Sequence, residues 1–322
     1  MKSIHCGWIS IVSVLLTGIA PAQAQYPSKP IRVVVTVAPG GGADAVARVV
    51  AQSLATALGK PVVVDNRPGG GGNIGAELVA NAPPDGHTLL LGSTFQAIAP
   101  GLYGKLSYDM LRDFVAISLL ASTPLVLAVH VSVAATSVTE LVALAKAKPN
   151  ELAFASAGTG GGNHLAGVLF CEMAGIKMNH VPFKGAAPAL IAVIGGEVPV
   201  TFATFAATIP HIKTDKLRAL GMTSAQRSPI APDLPTVSEA GLPGYESVNW
   251  YGLNAPAGTP AEVISRLHVE SAKALKLPEV KARFSAISLE PIGSTPEHYK
   301  AYFRSEIEKW GKIVKVSGAR PD

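Results

Sequence analysis

The chain has 322 residues, 48% of them hydrophobic, with 27 Lys+Arg against 22 Asp+Glu and a formal charge of +5. That length accommodates two ordinary domains. The mild positive excess, with no Lys/Arg run, argues against nucleic-acid binding and suits a small anionic ligand.

The first residues predict a removable export signal. Lys2 supplies a positive start, Trp8 to Ala20 is almost unbroken apolar sequence, and Ala22-Gln23-Ala24 fits signal-peptidase cleavage before Gln25. The apolar stretch is shorter than the roughly 20 residues a membrane helix needs. The mature protein, from residue 25, is therefore expected outside the cytoplasm. Cys6 precedes the apolar core and is not an acylation cysteine. Cys171 is then left alone, so no intramolecular disulfide is expected. Its apolar setting predicts a buried, inert thiol. The eight histidines are scattered, and no HExxH or CxxC occurs.

Ile31 to Val37 reads as a strand buried on both faces. Val46, Val50, Leu54 and Leu58 recur every four residues as a helix that Gly59 ends. Val62 to Val64 is a second strand. A helix carrying Ile74 and Leu78 follows and stops at Pro83-Pro84. Leu89 to Leu91 is a third strand, and this alternation predicts an α/β doubly wound sheet. The middle of the chain repeats the theme. A strand at Leu125 to Val129 leads to a Ser137–Glu140 capping box and a helix ending before Pro149. Next come a strand from Leu152 to Ser156, a helix from His164 to Ala174 ended by Gly175, and a helix from Pro188 to Ile194. Val198 to Phe202 is a strand. Thr236 to Glu239 is a second capping box, and Thr259-Pro260-Ala261-Glu262 predicts an N-capped helix start. Tyr299 to Val314 is a final amphipathic helix.

Two strand–glycine–helix units stand out: "VVVTVAPGGGADAVARVV" and "FASAGTGGGNHLAGVLF". A helix N-terminus carries unpaired N–H groups and partial positive charge. Glycines before it let an anion reach that backbone. Gly40–Gly42, Gly69–Gly72 and Gly160–Gly162 are the three candidate turns, at strand carboxyl ends where open α/β sheets gather ligands. Gly70-x-Gly72-x-x-Gly75 matches GxGxxG, but no acidic residue follows at about twenty positions, and no P-loop exists. Tight turning alone is the other reading of the Gly69 loop. Ser156, His164 and Asp44 have the residue types of a hydrolase triad, without a GxSxG elbow. Phe183 and Trp250 are either ligand platforms or packing.

Seven blocks in order carry a resemblance: "YPSKPIRVVVTVAPGGGADAVAR", "VVVDNRPGGGGNIGAELVANAPPDGHTLLLGS", "LYGKLSYD", "HVPFKGAAPAL", "KLRALGMTS", "LPTVSEAGLPGYE" and "WYGLNAPAGTP". Together they resemble the Bug family, the extracytoplasmic solute receptors of tripartite tricarboxylate transporters, over essentially all of the mature chain. The resemblance implies an α/β, two-domain, periplasmic-binding-protein-like fold with a ligand cleft between the domains. Domain I would be 25–122 plus 245–322, and domain II 123–244. It implies a non-enzymatic periplasmic receptor, without cofactor or metal. Such a receptor is a monomer that captures a small anionic carboxylate and hands it to the large and small membrane subunits of the transporter. Carried over, the ligand would meet Pro39, Gly40, Gly41, Ala43 and Asp44 from one side. From the other it would meet Ser156, Gly158, Thr159, Gly160 and His164. Ser93, Thr94, Phe183, Lys184 and Gly185 match further cleft segments. In "TFATFAATIPHI", Ala203 stands where many family members carry an acid. That implies a dicarboxylate or an aromatic carboxylate rather than an amino acid. An exported ester hydrolase, or a sensor presenting its ligand to a membrane kinase, are the alternatives.

Overall fold

In the computed structural model of the protein, which describes residues 26–321, β1 (Ile31–Val35) is buried at four of its five positions. A strand inside a parallel sheet is covered on both faces, which is why its valines run unbroken. β2 (Val62–Asn66) and β3 (Thr88–Ser93) flank it in parallel. The crossovers are α1 (Gly42–Leu58) and α2 (Asn73–Ala80). Gly59 closes α1 in a left-handed conformation, φ 66°, the usual glycine stop. The proposed signal segment lies outside the described residues.

The second half repeats this unit. β5 (Ala153–Ser156) lies between β6 (Asn179–Pro182) and β7 (Val200–Thr204), all parallel. α5 (Gly162–Ala174) and α6 (Ala186–Ile194) are its crossovers, and α4 (Val138–Ala147) precedes it. Two antiparallel strands join the halves: β4 (Phe114–His130) and β9 (Val248–Pro256). The order is β2-β1-β3-β9-β4-β7-β5-β6. Residues Phe114 to Pro124 of β4 pair with β9, and Leu125 to Val129 pair with β7. One strand thus changes partners in mid-course. β8 (Leu217–Met222) also pairs with its far end.

The helices α3 (Thr94–Leu102) and α7 (Phe205–Ile212) start directly at the ends of β3 and β7. α8 (Ala261–Ala274) and α9 (Pro278–Ala286) cover the first half. The final helix, α10 (Pro296–Ser317), packs on both α3 and α5. The largest apolar cluster therefore runs through both halves, from Leu90 and Ile98 past Leu127 to Phe154, Phe170 and Phe202. Trp250 sits in it with no exposure. Its indole and that of Trp310 both donate to Glu306 Oε2 at 2.9 Å, and Lys309 pairs with the same carboxylate. Trp250 is packing, not a ligand platform.

Several sequence expectations change in detail. The strand expected at Leu125–Val129 is the last part of a 17-residue strand. The Thr236–Glu239 box forms both reciprocal bonds, each 3.0 Å, yet caps only a turn, because Gly241 and Pro243-Gly244 follow at once. At α8 the N-cap is Pro260, not Thr259, whose hydroxyl donates to Pro256 O at 2.8 Å. Cys171 is half-buried, and burial pushes its thiol up to about 11. Among the described residues, no helix is long and apolar enough to cross a membrane, and no group of three His, Cys, Asp or Glu could hold a metal.

Candidate functional site

The two glycine turns share one construction. Asp44 Oδ2 accepts from the Gly40 amide at 3.0 Å, and His164 Nδ1 accepts from the Gly160 amide at 3.0 Å. In each turn, a side chain in the first helical turn folds back on the first glycine, four residues earlier. The Gly40 and Gly160 amides are thereby already satisfied. The next ones are not: Gly41, Gly42 and Ala43, and Gly161, Gly162 and Asn163, meet no protein acceptor among the described residues. These are the orphan donors of the α1 and α5 N-termini.

Behind the second turn the side chains are locked together. The His164 and His180 rings stack with centroids 3.7 Å apart. Burial, then the neighbouring His180, pushes His164 down to about 4, and burial does the same to His180. Ser156 is fully buried, and its Oγ lies 2.6 Å from His180 Nε2. This corrects the triad reading: the imidazole that reaches Ser156 belongs to His180, and His164 is spent on Gly160. Asp44 belongs to the other turn, where Arg48 Nε donates to it at 2.9 Å and holds its carboxyl below the usual range. No carboxylate pairs with His164 or His180 among the described residues.

A cavity of about 900 Å³ opens between the halves. Its wall brings together the starts of several helices: Ser93 and Thr94 of α3, Gly161 to Asn163 of α5, Ala186 and Ala187 of α6, and Thr204 before α7. Each start adds partial positive charge without a charged side chain. Phe95, Leu102, Tyr103, Leu190 and Ala203 give an apolar surround, and β9 contributes Asn249 and Tyr251. A Cβ on Gly162 would come within 2.8 Å of Asn249 Oδ1, and one on Gly42 would clash with the Tyr251 hydroxyl. Glycine at both positions lets β9 approach both turns. No Lys, Arg, Asp, Glu or His lines the cavity among the described residues.

Of the sequence-derived candidates, Ser93, Thr94, Gly158, Thr159 and Gly160 line this cavity. No residue of the first turn lines it: Pro39, Gly40 and Gly41 are exposed beside the cavity, whereas Ala43 and Asp44, like Ser156 and His164 of the second turn, are buried behind the turns and do not line it either. Phe183, Lys184 and Gly185 stand just before the lining residues Ala186 and Ala187, with Lys184 exposed. Phe183 packs against the apolar cluster under α6. Sequence reasoning missed Phe95, Tyr103, Asn249 and Tyr251. The last two are one strand period apart and flank buried Trp250, an alternation legible in "NWY". The Gly69–Gly72 loop holds four successive positive-φ glycines. Gly72 and Gly75 pack tightly against Thr36, Gln96 and Arg67. Gly72 and Gly75 of the GxGxxG match thus serve close packing of α2, whereas Gly70 and Gly71 of the same loop line the cavity.

The sequence profile described as tripartite tricarboxylate transporter family receptor matches residues 46–319. The chain belongs to this family. Receptors of this family bind solutes and are not enzymes. Protein BugT of Bordetella pertussis is 37% identical over 304 residues, covering 94% of this chain and 93% of BugT. The R. palustris protein Rpa4515, solved with adipate, is 34% identical with a TM-score of 0.77, covering 92% of this chain and 100% of that one. MatC from Rhodopseudomonas palustris, solved with bound malate, is 31% identical with a TM-score of 0.73, covering 90% and 100%. The α/β periplasmic-binding-protein-like class and the Bug-family membership expected from the sequence both hold.

Proposed function

We propose that the protein is a periplasmic receptor that captures a small carboxylate between two domains and delivers it to the large and small membrane subunits of a tripartite tricarboxylate-type transporter. The domains are 25–122 with 245–322, and 123–244. The receptor works as a monomer, exported by residues 1–24. The observation that carries this reading is the convergence of unpartnered helix N-terminal amides on one charge-free cavity. An anion is what such a wall accepts best. Two ligand-bound relatives, solved with adipate and malate, support the ligand class.

Each charge-assisted hydrogen bond contributes about 1.5–3 kcal/mol. Micromolar affinity needs about 8 kcal/mol net, so the acid must meet several such amides at once. Two turns from opposite halves supply them only when both face the ligand. Closure then follows from that difference in contacts, and β4, with its change of partner after Pro124, and β9 are the strands that bend. Calorimetric titration with a panel of carboxylates, followed by mass spectrometry of the recovered ligand, tests the reading. Saturable binding with unchanged ligand supports it. Absence of binding by every acid tried, or turnover of the ligand, contradicts it.

A further inference from the structure

We infer that the cleft is built for an aromatic monocarboxylate rather than a C4 hydroxy-diacid or an amino acid; this rests on the carboxylate-receptor reading above. The first observation is charge. The cavity wall holds no ionisable acid or cationic side chain among the described residues. Converging amides can take one carboxylate. An ammonium would find partial positive charge and no carboxylate, and Ala203 on the wall offers it nothing. Burying an unpaired charge is costly.

The second observation is size and surface. Ligand cavities span about 300–1,000 Å³, and this one, at about 900 Å³, is near the upper end. A four-carbon diacid would leave most of its apolar wall bare. Phe95, in the first turn of α3, is 42% exposed although it lines the cleft. An exposed phenylalanine forgoes burial energy that a flat apolar ligand would restore. The opposite half presents Ala186, Ala187 and Ala203. Such short side chains leave a shallow face on which a ring can lie. The side-chain polar groups without a protein partner in the wall include the Asn249 amide, the Tyr103 and Tyr251 hydroxyls and the Thr159, Thr201 and Thr204 hydroxyls, all neutral. They suit ring substituents or ordered water, not a second ionised acid.

The test is calorimetry of the purified chain with benzoate, 3-phenylpropionate, malate, adipate, glutamate and benzamide. The inference expects one of the two aromatic acids to bind at least about tenfold tighter than malate, adipate or glutamate. It expects Phe95→Ala to narrow that preference by about tenfold. Because Phe95 is exposed, this variant keeps its fold, and an unchanged melting temperature checks that. Malate or adipate binding tighter than both aromatic acids overturns the inference and leaves the receptor reading intact. An aromatic preference that Phe95→Ala does not narrow also overturns it. Benzamide binding as tightly as benzoate, or no acid binding, overturns the carboxylate reading itself.

Discussion

Acidification should weaken the second glycine turn in a way that the first turn does not share. Burial, and then the facing His180, puts His164 at about 4 in the folded chain, against 6.5 for a free imidazole. The folded value lies below the unfolded one. Between these values the unfolded chain binds a proton that the folded chain refuses. Stability from this group is complete above pH 6.5, falls as pH drops towards 4, and is constant below that. A shift of this size is worth about 3 kcal/mol for His164. His180 is more exposed and contributes about 1–2 kcal/mol after solvent screening. Together they should lower the melting temperature by about 10 °C between pH 7 and 4. Protonation at Nδ1 of the folded chain also removes the acceptor for the Gly160 amide, so carboxylate affinity should hold through most of this window and fall only as pH approaches 4. The assay is thermal unfolding from pH 7.5 to 4, wild type against the His164→Gln/His180→Gln double variant. The difference between the two profiles should shrink by roughly 4 kcal/mol towards low pH. Parallel profiles would refute the assignment of buried, neutral imidazoles.

Further outcomes follow from the same geometry. Gly42→Ala should reduce carboxylate affinity at least about tenfold, because its Cβ displaces the Tyr251 hydroxyl; titration calorimetry reads this. Gly41→Val should keep the wild-type melting temperature, since a Cβ there meets nothing within 4 Å, while lowering affinity as the side chain covers the turn. Gly160→Val should lose both affinity and stability, the latter by about 1–3 kcal/mol, because Gly160 is at φ 76° and a Cβ would press on Leu102 at 2.9 Å; denaturant unfolding checks it. Glu306→Ala should cost about 3–5 kcal/mol in the same assay, since it strands two buried indole donors and a lysine.

The two strand–glycine–helix units are legible in the sequence because buried parallel strands and capped helices leave strong local patterns. Val33 to Val35 cannot be half-exposed, and Gly59 and Gly175 mark helix ends. The crossing strand is not legible. Phe114–His130 changes partners midway, and its burial comes from neighbours far away in sequence rather than from local alternation. The site is half legible. Glycine turns announce anion-binding backbone, but nothing local tells which amides stay free. That depends on Asp44 and His164 folding back on Gly40 and Gly160. The apolar wall is assembled from α3, α6 and β9, so Phe95, Ala186 and Tyr251 meet only in three dimensions.

The most direct test of the central claim is a crystal structure of the protein saturated with the tightest-binding carboxylate. The account predicts the acid oxygens within hydrogen-bonding distance of amides from both glycine turns, Gly42 or Ala43 on one side and Gly162 or Asn163 on the other, with the rest of the ligand against Phe95. An acid group seated on a lysine or arginine, or touching one half alone, would contradict it.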